Sequence, residues 1–169
     1  MDIKLARAIP FLRDLTDDEL NLLASLLTLR ECQQGERILE EGMVPTEFCI
    51  VCEGVVHVRR RANTREMLLA RIGPGGFFGE VNLFDPGIAT ASISAKTKTL
   101  IAVISYERFL TYMDEHPRAG YKIASALLAE TSRRMRDASS RLANAVFWSE
   151  RRPAAPATEV APAIASVST

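Results

Sequence analysis

The feature that most constrains this chain is its texture between residues 28 and 104. Seven short runs, TLRECQ, RILEE, EFCIVCEG, VVHVRR, EMLLARIG, ATASISAKT and TLIAVIS, are cut apart by turns at Gly35, Gly42, Gly54 and a Gly73-Pro74-Gly75-Gly76 cluster. Strands of about five to eight residues at such regular spacing predict an antiparallel sandwich or barrel. In VVHVRRR, Val56 and Val58 point one way and His57 and Arg59 the other, so His57 reads as an outward strand residue, not a ligand.

Helical periods flank this region. Thr16 caps a helix with Glu19 as its capping-box partner, and Leu20, Leu22, Leu23, Leu26 and Leu27 recur at helical spacing until the pattern breaks at residues 30–35. After Ile104, Ser105 caps YERFLTYMDEH, whose apolar side is Phe109, Leu110 and Met113. Pro117 then suits the first turn of a new helix. From there to Phe147 no further proline occurs and Gly120 is the only glycine. That stretch corresponds to ~45 Å of helix at ~1.5 Å per residue. Tyr121, Leu128, Met135 and Leu142 fall seven apart, and Ala124, Thr131, Ala138 and Ala145 fill the alternate spacing. A helix of this length exceeds what one small barrel covers. Leu128, Thr131, Met135, Ala138, Leu142 and Ala145 are therefore expected to meet the same helix of a second copy.

The domain reading is residues 1–147, with helices in 1–27, a barrel in 28–104 and helices in 105–147, the last (117–147) serving dimerisation. Residues 148–169 read as a disordered Ala/Pro-rich tail. Arginines 133, 134, 136, 141, 151 and 152 make the helix end locally basic, which reads as a solvated face.

Across 169 residues the acids and bases balance to a formal charge of zero, which argues against a phosphate backbone or an anionic membrane as the main partner. No apolar run reaches the ~18 residues of a membrane helix, and charges interrupt the N-terminus, so the expected location is cytoplasmic. Of the three cysteines, Cys49 and Cys52 form a C-x-x-C inside FCIVCEG. In a strand those two point to opposite faces, and no second pair completes a zinc site, so Cys32, Cys49 and Cys52 read as structural thiols and no metal is expected. Nucleophile elbows, Walker loops and Cys/His pairs are absent, so the chain is read as a non-enzyme.

One stretch, FFGEVNLFDPGIATASI at 77–93, resembles the phosphate-binding cassette of cyclic-nucleotide-binding domains, which opens F-G-E-x-x-L. With IPFLRDLTDDELNLLASLL, GERILEEGMVPTEFCIVCEGVVHV and ISYERFLTYMDEHPRAG in order around it, residues 8–147 resemble that family, especially the bacterial catabolite-activator (CRP/FNR) type. The resemblance implies a mainly β fold with flanking helices: a double-stranded β-helix (jelly-roll) barrel, N-terminal helices and a long C-terminal dimerisation helix. It implies a cAMP or cGMP ligand in a cassette of Phe78, Gly79, Glu80, Val81, Asn82, Leu83, Ala89, Thr90, Ala91 and Ser92, with base contacts from Ser139 or Ser140. Glu80 matches the acid that accepts the ribose hydroxyl. A short helix over about 79–84 offers N–H groups to the phosphate.

The family's phosphate-binding arginine falls at Ala89, and nothing between Gly79 and Lys96 is basic. Losing a charged hydrogen-bond partner costs ~1.5–3 kcal/mol, and leaving a charge without its partner ~3–5 kcal/mol, so a micromolar site becomes millimolar or vanishes. The ~20 residues after the long helix are too few for a helix-turn-helix reader, so direct DNA binding is not expected. The expected function is a stand-alone regulatory or sensor module that signals through protein contacts, with weakened or altered ligand binding. Two alternatives are an interaction protein that binds no nucleotide, and a cAMP- or cGMP-binding protein despite Ala89.

Overall fold

The computed structural model describes residues 1–63 and 65–150, with side chains through residue 147. The chain divides into two units, residues 1–130 and 131–169. The first holds the barrel and its helices. After α1 (Ile3–Arg7), a single 3-10 turn (Pro10–Leu12) and α2 (Asp17–Leu26), eight strands follow in two groups. These are β1 (Thr28–Cys32), β2 (Arg37–Leu39), β3 (Glu47–Glu53), β4 (Val56–Ala62), β5 (Arg65–Ile72) and β6 (Phe77–Phe78), then, after α3 (Glu80–Phe84), β7 (Ser92–Ala95) and β8 (Thr99–Ser105). The unit closes with α4 (Tyr106–Glu115) and the first part of α5 (Pro117–Glu150).

The strands form two antiparallel four-stranded sheets, ordered β1-β8-β3-β6 and β2-β7-β4-β5, facing each other as a jelly roll. The mainly β fold with flanking helices therefore stands as expected. The two sheets differ in sequence texture for a physical reason. In β3, Cys49 and Val51 enter the barrel interior, while Phe48, Ile50 and Cys52 pack against the helices. Buried on both faces, that strand reads as a continuous apolar run. The β2-β7-β4-β5 sheet turns its other face outward, yet β4 does not alternate in exposure: burial falls along the strand from Val56 to Ala62, and His57, read as an outward residue, is 6% exposed.

Cys49 and Cys52 thus lie on opposite faces of β3, and all three cysteines are buried and free. The helical layer is held by Leu20, Leu23, Phe109, Tyr112, Ala119, Ile123 and Leu127 against β3 and β8. Phe11, Phe48, Phe77 and Phe109 stack there with centroids 5.0–6.0 Å apart.

The expected capping box forms, with Thr16 Oγ1 accepting from Glu19 N–H and Glu19 Oε2 accepting from Thr16 N–H at 2.8 Å. Ser105 likewise caps α4. Three expectations need correction. Leu22 and Leu110 are exposed; the inward place on α4 is taken by Tyr112, whose O–H donates to the Glu19 carbonyl at 2.7 Å. The return strand of the cassette starts at Ser92, not Ala89, because the Ala89 backbone bonds to the turn after β2 and not to a sheet ladder. Finally, α5 continues past Phe147 to Glu150, since no helix breaker comes before Pro153. The rest of the expected tail, 151–169, lies outside the described residues.

Candidate functional site

The cassette begins where β6 leaves the barrel wall. Phe78 pairs with Cys49 and fills the barrel interior. Gly79 turns the chain at φ +89°, in the left-handed region, and is the N-cap of α3. Only glycine fits: a Cβ here would lie 2.7 Å from the Glu47 carbonyl oxygen and 3.1 Å from the Tyr106 hydroxyl. That hydroxyl donates to the Gly79 carbonyl at 2.9 Å and so anchors the turn to the start of α4. Burial pushes the Tyr106 phenol up to about 12, which keeps it a donor across the physiological range.

Along α3, Glu80 is half-buried at the first position, Val81 and Phe84 are exposed, and Leu83 packs into the helical core. The Asn82 amide donates to the Gly87 carbonyl at 2.9 Å and closes the loop beneath the helix. The chain returns through Ala89, which is only 3% exposed. Its N–H donates to the Met43 carbonyl and its carbonyl accepts from Gly42 N–H, each at 2.8 Å. Thr90 is exposed and Ala91 half-buried.

Ser92 pairs with Arg59, and the adjacent Ile93 with Val58. Because Ile93 and Val58 face the barrel interior, Ser92 and Arg59 face the other side of the sheet, and Glu41 N–H donates to Ser92 Oγ at 3.0 Å. The structure therefore gathers Gly79, Glu80 and Asn82 around one short helix, straps Ala89 to the β2–β3 turn, and turns Ser92 outward. Ser139 and Ser140 are exposed positions of α5 in the second unit.

At the barrel mouth a cavity of about 230 Å³ is lined by Arg30, Leu39, Met43, Glu47, Cys49 and Phe78, among others. Arg30 is its one basic lining residue, and it is already paired with Glu47 at 3.1 Å. Cys49 beside it is a poor ligand or nucleophile, since burial pushes its thiol up to about 12. Among the described residues no group of three or more His, Cys, Asp or Glu is placed to hold a metal ion.

Sequence reasoning missed the parts that hold this site: Tyr106 under Gly79, and Gly42 with Met43 across from Ala89. The glycine at 42 was legible as a turn signal; its partner 47 residues further on was not.

The chain belongs to the cyclic nucleotide-binding domain family, whose sequence model matches residues 29–116. It is 30% identical over 115 residues to a CRP-like cAMP-activated global transcriptional regulator of Mycobacterium tuberculosis, covering 68% of this chain and 50% of that protein. The structure is similar to that of Thermus thermophilus catabolite activator protein, with TM-score 0.70, 30% identity, and coverage of 82% of this chain and 63% of that one. It is also similar to the regulatory subunit of a cAMP-independent protein kinase A from Trypanosoma brucei, in a triple-mutant form bound to cAMP in its A site. There the TM-score is 0.69 at 26% identity, covering 83% of this chain and 50% of that one. The chain thus spans half to two thirds of the length of these relatives.

Proposed function

We propose that this chain is a regulatory, non-catalytic module of the cyclic-nucleotide-binding type, dimeric through α5, that signals by protein contact with altered or weakened ligand binding. The observation that carries the reading is Ala89. It is buried at the position where the family resemblance places the phosphate-binding arginine, and both its backbone groups are taken by Met43 and Gly42. The cavity's one basic lining residue, Arg30, is neutralised by Glu47. A cyclic phosphate entering the cassette would find no charged partner there, and a charge-assisted bond contributes ~1.5–3 kcal/mol, about ten- to a hundred-fold in affinity.

The dimer reading rests on α5. Ala119, Ile123 and Leu127 are buried against the helical core, while Tyr121, Leu128, Met135 and Leu142 are 66–76% exposed on a heptad stripe. Thr131, Ala138 and Ala145 supply the small residues that let a second helix approach. Ser139 and Ser140 would then be the α5 positions nearest in role to base contacts. No helix among the described residues is long and apolar enough to cross a membrane, and the proposed setting is the cytoplasm.

Calorimetric titration with cAMP and with cGMP, on the natural protein and on Ala89→Arg, tests the ligand reading. The expected result is no micromolar binding by the natural protein and a gain by the variant. The Trypanosoma protein, cAMP-independent in name, offers a parallel: its cAMP-bound triple mutant includes a threonine-to-arginine change. Micromolar binding by the natural protein would overturn the proposal. Silence from both proteins would favour the interaction module that has lost its ligand altogether.

A further inference from the structure

The outer face of the β2-β7-β4-β5 sheet carries a second concavity, of about 420 Å³, on the side away from the barrel interior. Arg37, Arg59, Arg61, Glu66 and Ser92 are among its lining residues. Its arginines are poorly satisfied by the protein. Arg37 and Arg59 share the Glu66 carboxylate at 3.4 and 3.5 Å, and Arg37 reaches Glu40 at 3.4 Å, all longer than the ~2.7–2.9 Å of a strong charge-assisted bond. The Nε of Arg59 is buried and makes no hydrogen bond. The Arg61 guanidinium has no partner among the described residues, because the bond from Arg61 to Glu41 uses its backbone N–H.

Two further groups complete the setting. Ser92 is 8% exposed, and its Oγ accepts from Glu41 N–H, which leaves the hydroxyl proton to be donated. His57 is 6% exposed, with Nδ1 3.5 Å from Arg59 Nη2. Burial, with Arg71, Arg59 and Lys96 around it, favours its neutral form. The acids are partly committed elsewhere: Glu41 holds the Arg61 N–H at 2.9 Å and Arg60 at 3.8 Å. The lining sets Arg37, Arg59 and Arg61 against Glu40, Glu41 and Glu66, while Arg60 draws on Glu41, and Arg71 and Lys96 act on His57 from outside the lining.

We propose that this concavity is an oxyanion site that takes a phosphate group, held by Arg37, Arg59, Arg61 and Ser92. The phosphate displaces Glu66, an exposed side chain at the start of β5, as the shared partner of Arg37 and Arg59. Guanidinium forks match phosphate oxygens in pairs, and a ligand oxygen would satisfy the orphaned Nε. The site lies across the sheet from the cassette, so it stands or falls independently of Ala89.

The test is titration of the full chain with inorganic phosphate, pyrophosphate and phenyl phosphate at low salt, by calorimetry and by amide NMR shifts. Millimolar or tighter binding is expected, weakening with added salt. Arg59→Gln and Arg61→Gln should each weaken it by about tenfold or more, and Glu66→Gln should tighten it by removing the competitor. Shifts should centre on Arg59, Arg61 and Ser92. Arg61→Gln disturbs no side-chain bond among the described residues, so it keeps the test valid if Arg59→Gln impairs folding. Tighter binding of phenyl phosphate assigns a phosphate ester, and equal binding assigns the free ion. No binding of any of the three, or affinities that both arginine variants leave unchanged, or shifts confined to residues 79–91, would overturn the proposal.

Discussion

Replacing Gly79 by alanine separates two costs that the cassette imposes. The first is backbone strain: at φ +89° an L-residue loses ~1–2 kcal/mol. The second is steric. The new Cβ would sit 2.7 Å from the Glu47 carbonyl oxygen, and Glu47 is registered against Ser105 in β3–β8, so the strand cannot yield without disturbing its ladder. The same Cβ would lie 3.1 Å from the Tyr106 hydroxyl and press on its bond to the Gly79 carbonyl. Overpacking of this kind costs ~1–3 kcal/mol, so the total loss should be about 2–5 kcal/mol.

Two other glycines calibrate it. Gly42 has φ +86° with nothing within 4 Å of a Cβ, so Gly42→Ala should cost only the strain, ~1–2 kcal/mol. Gly87 has neither positive φ nor a near neighbour, and Gly87→Ala should stay within ~0.5 kcal/mol of the natural protein. Urea unfolding followed by far-UV circular dichroism, at one protein concentration because a dimer's stability depends on it, measures all three. The expected order of midpoints is Gly87→Ala, Gly42→Ala, Gly79→Ala, from most to least stable. A Gly79→Ala variant no less stable than Gly42→Ala would refute the steric half of the reasoning.

Other outcomes follow from the same coordinates. Met135→Glu with Leu142→Glu places charges on two exposed heptad positions, so light scattering after size exclusion should read a monomer whose circular dichroism is unchanged. A dimer that persists removes α5 as the interface. Cys32, Cys49 and Cys52 are 1%, 3% and 8% exposed, and burial raises all three thiols, Cys49 to about 12. An aromatic disulfide reagent at neutral pH should therefore react only after unfolding in urea; fast native reaction would contradict the burial. The Glu19 carboxyl is held below its ordinary value, first by Lys122 Nζ at 2.8 Å and then by the Thr16 N–H. Its folded value lies below the unfolded ~4.3, so its contribution is full above that pH and is lost as pH falls through the folded value. Lys122→Met should flatten the fall in urea midpoint over that acid range, and an unchanged slope would show that the pair is not felt.

Local chemistry made much of this fold legible. The Thr16–Glu19 box and the Ser105 cap each depend on residues within a few positions of one another, and each formed as read, whereas the alternation of VHVRR is not seen in exposure, since His57 is buried. Errors fell where two faces compete. Leu110 and Tyr112 are both apolar enough to face inward on α4, and the choice between them turns on Glu19, whose carbonyl accepts the Tyr112 hydroxyl from 93 residues away. The cassette shows the same limit. The places of Gly79 and Ala89 in the cassette were implied by the family resemblance. The start of its return strand could not be read that way, because the Ala89 N–H and carbonyl go to Met43 and Gly42.

By itself, then, the amino-acid sequence determined the element order and the strand-rich middle between helical ends, because periodicity, capping and turn chemistry act over a few residues, while its motifs carried the family resemblance. Tertiary structure alone decided that Ser92 turns away from the cassette to face Arg59, and that the outer sheet gathers Arg37, Arg59 and Arg61 over a buried His57. Those placements depend on sheet register between strands far apart in the chain, and a shift of one residue would reverse every face.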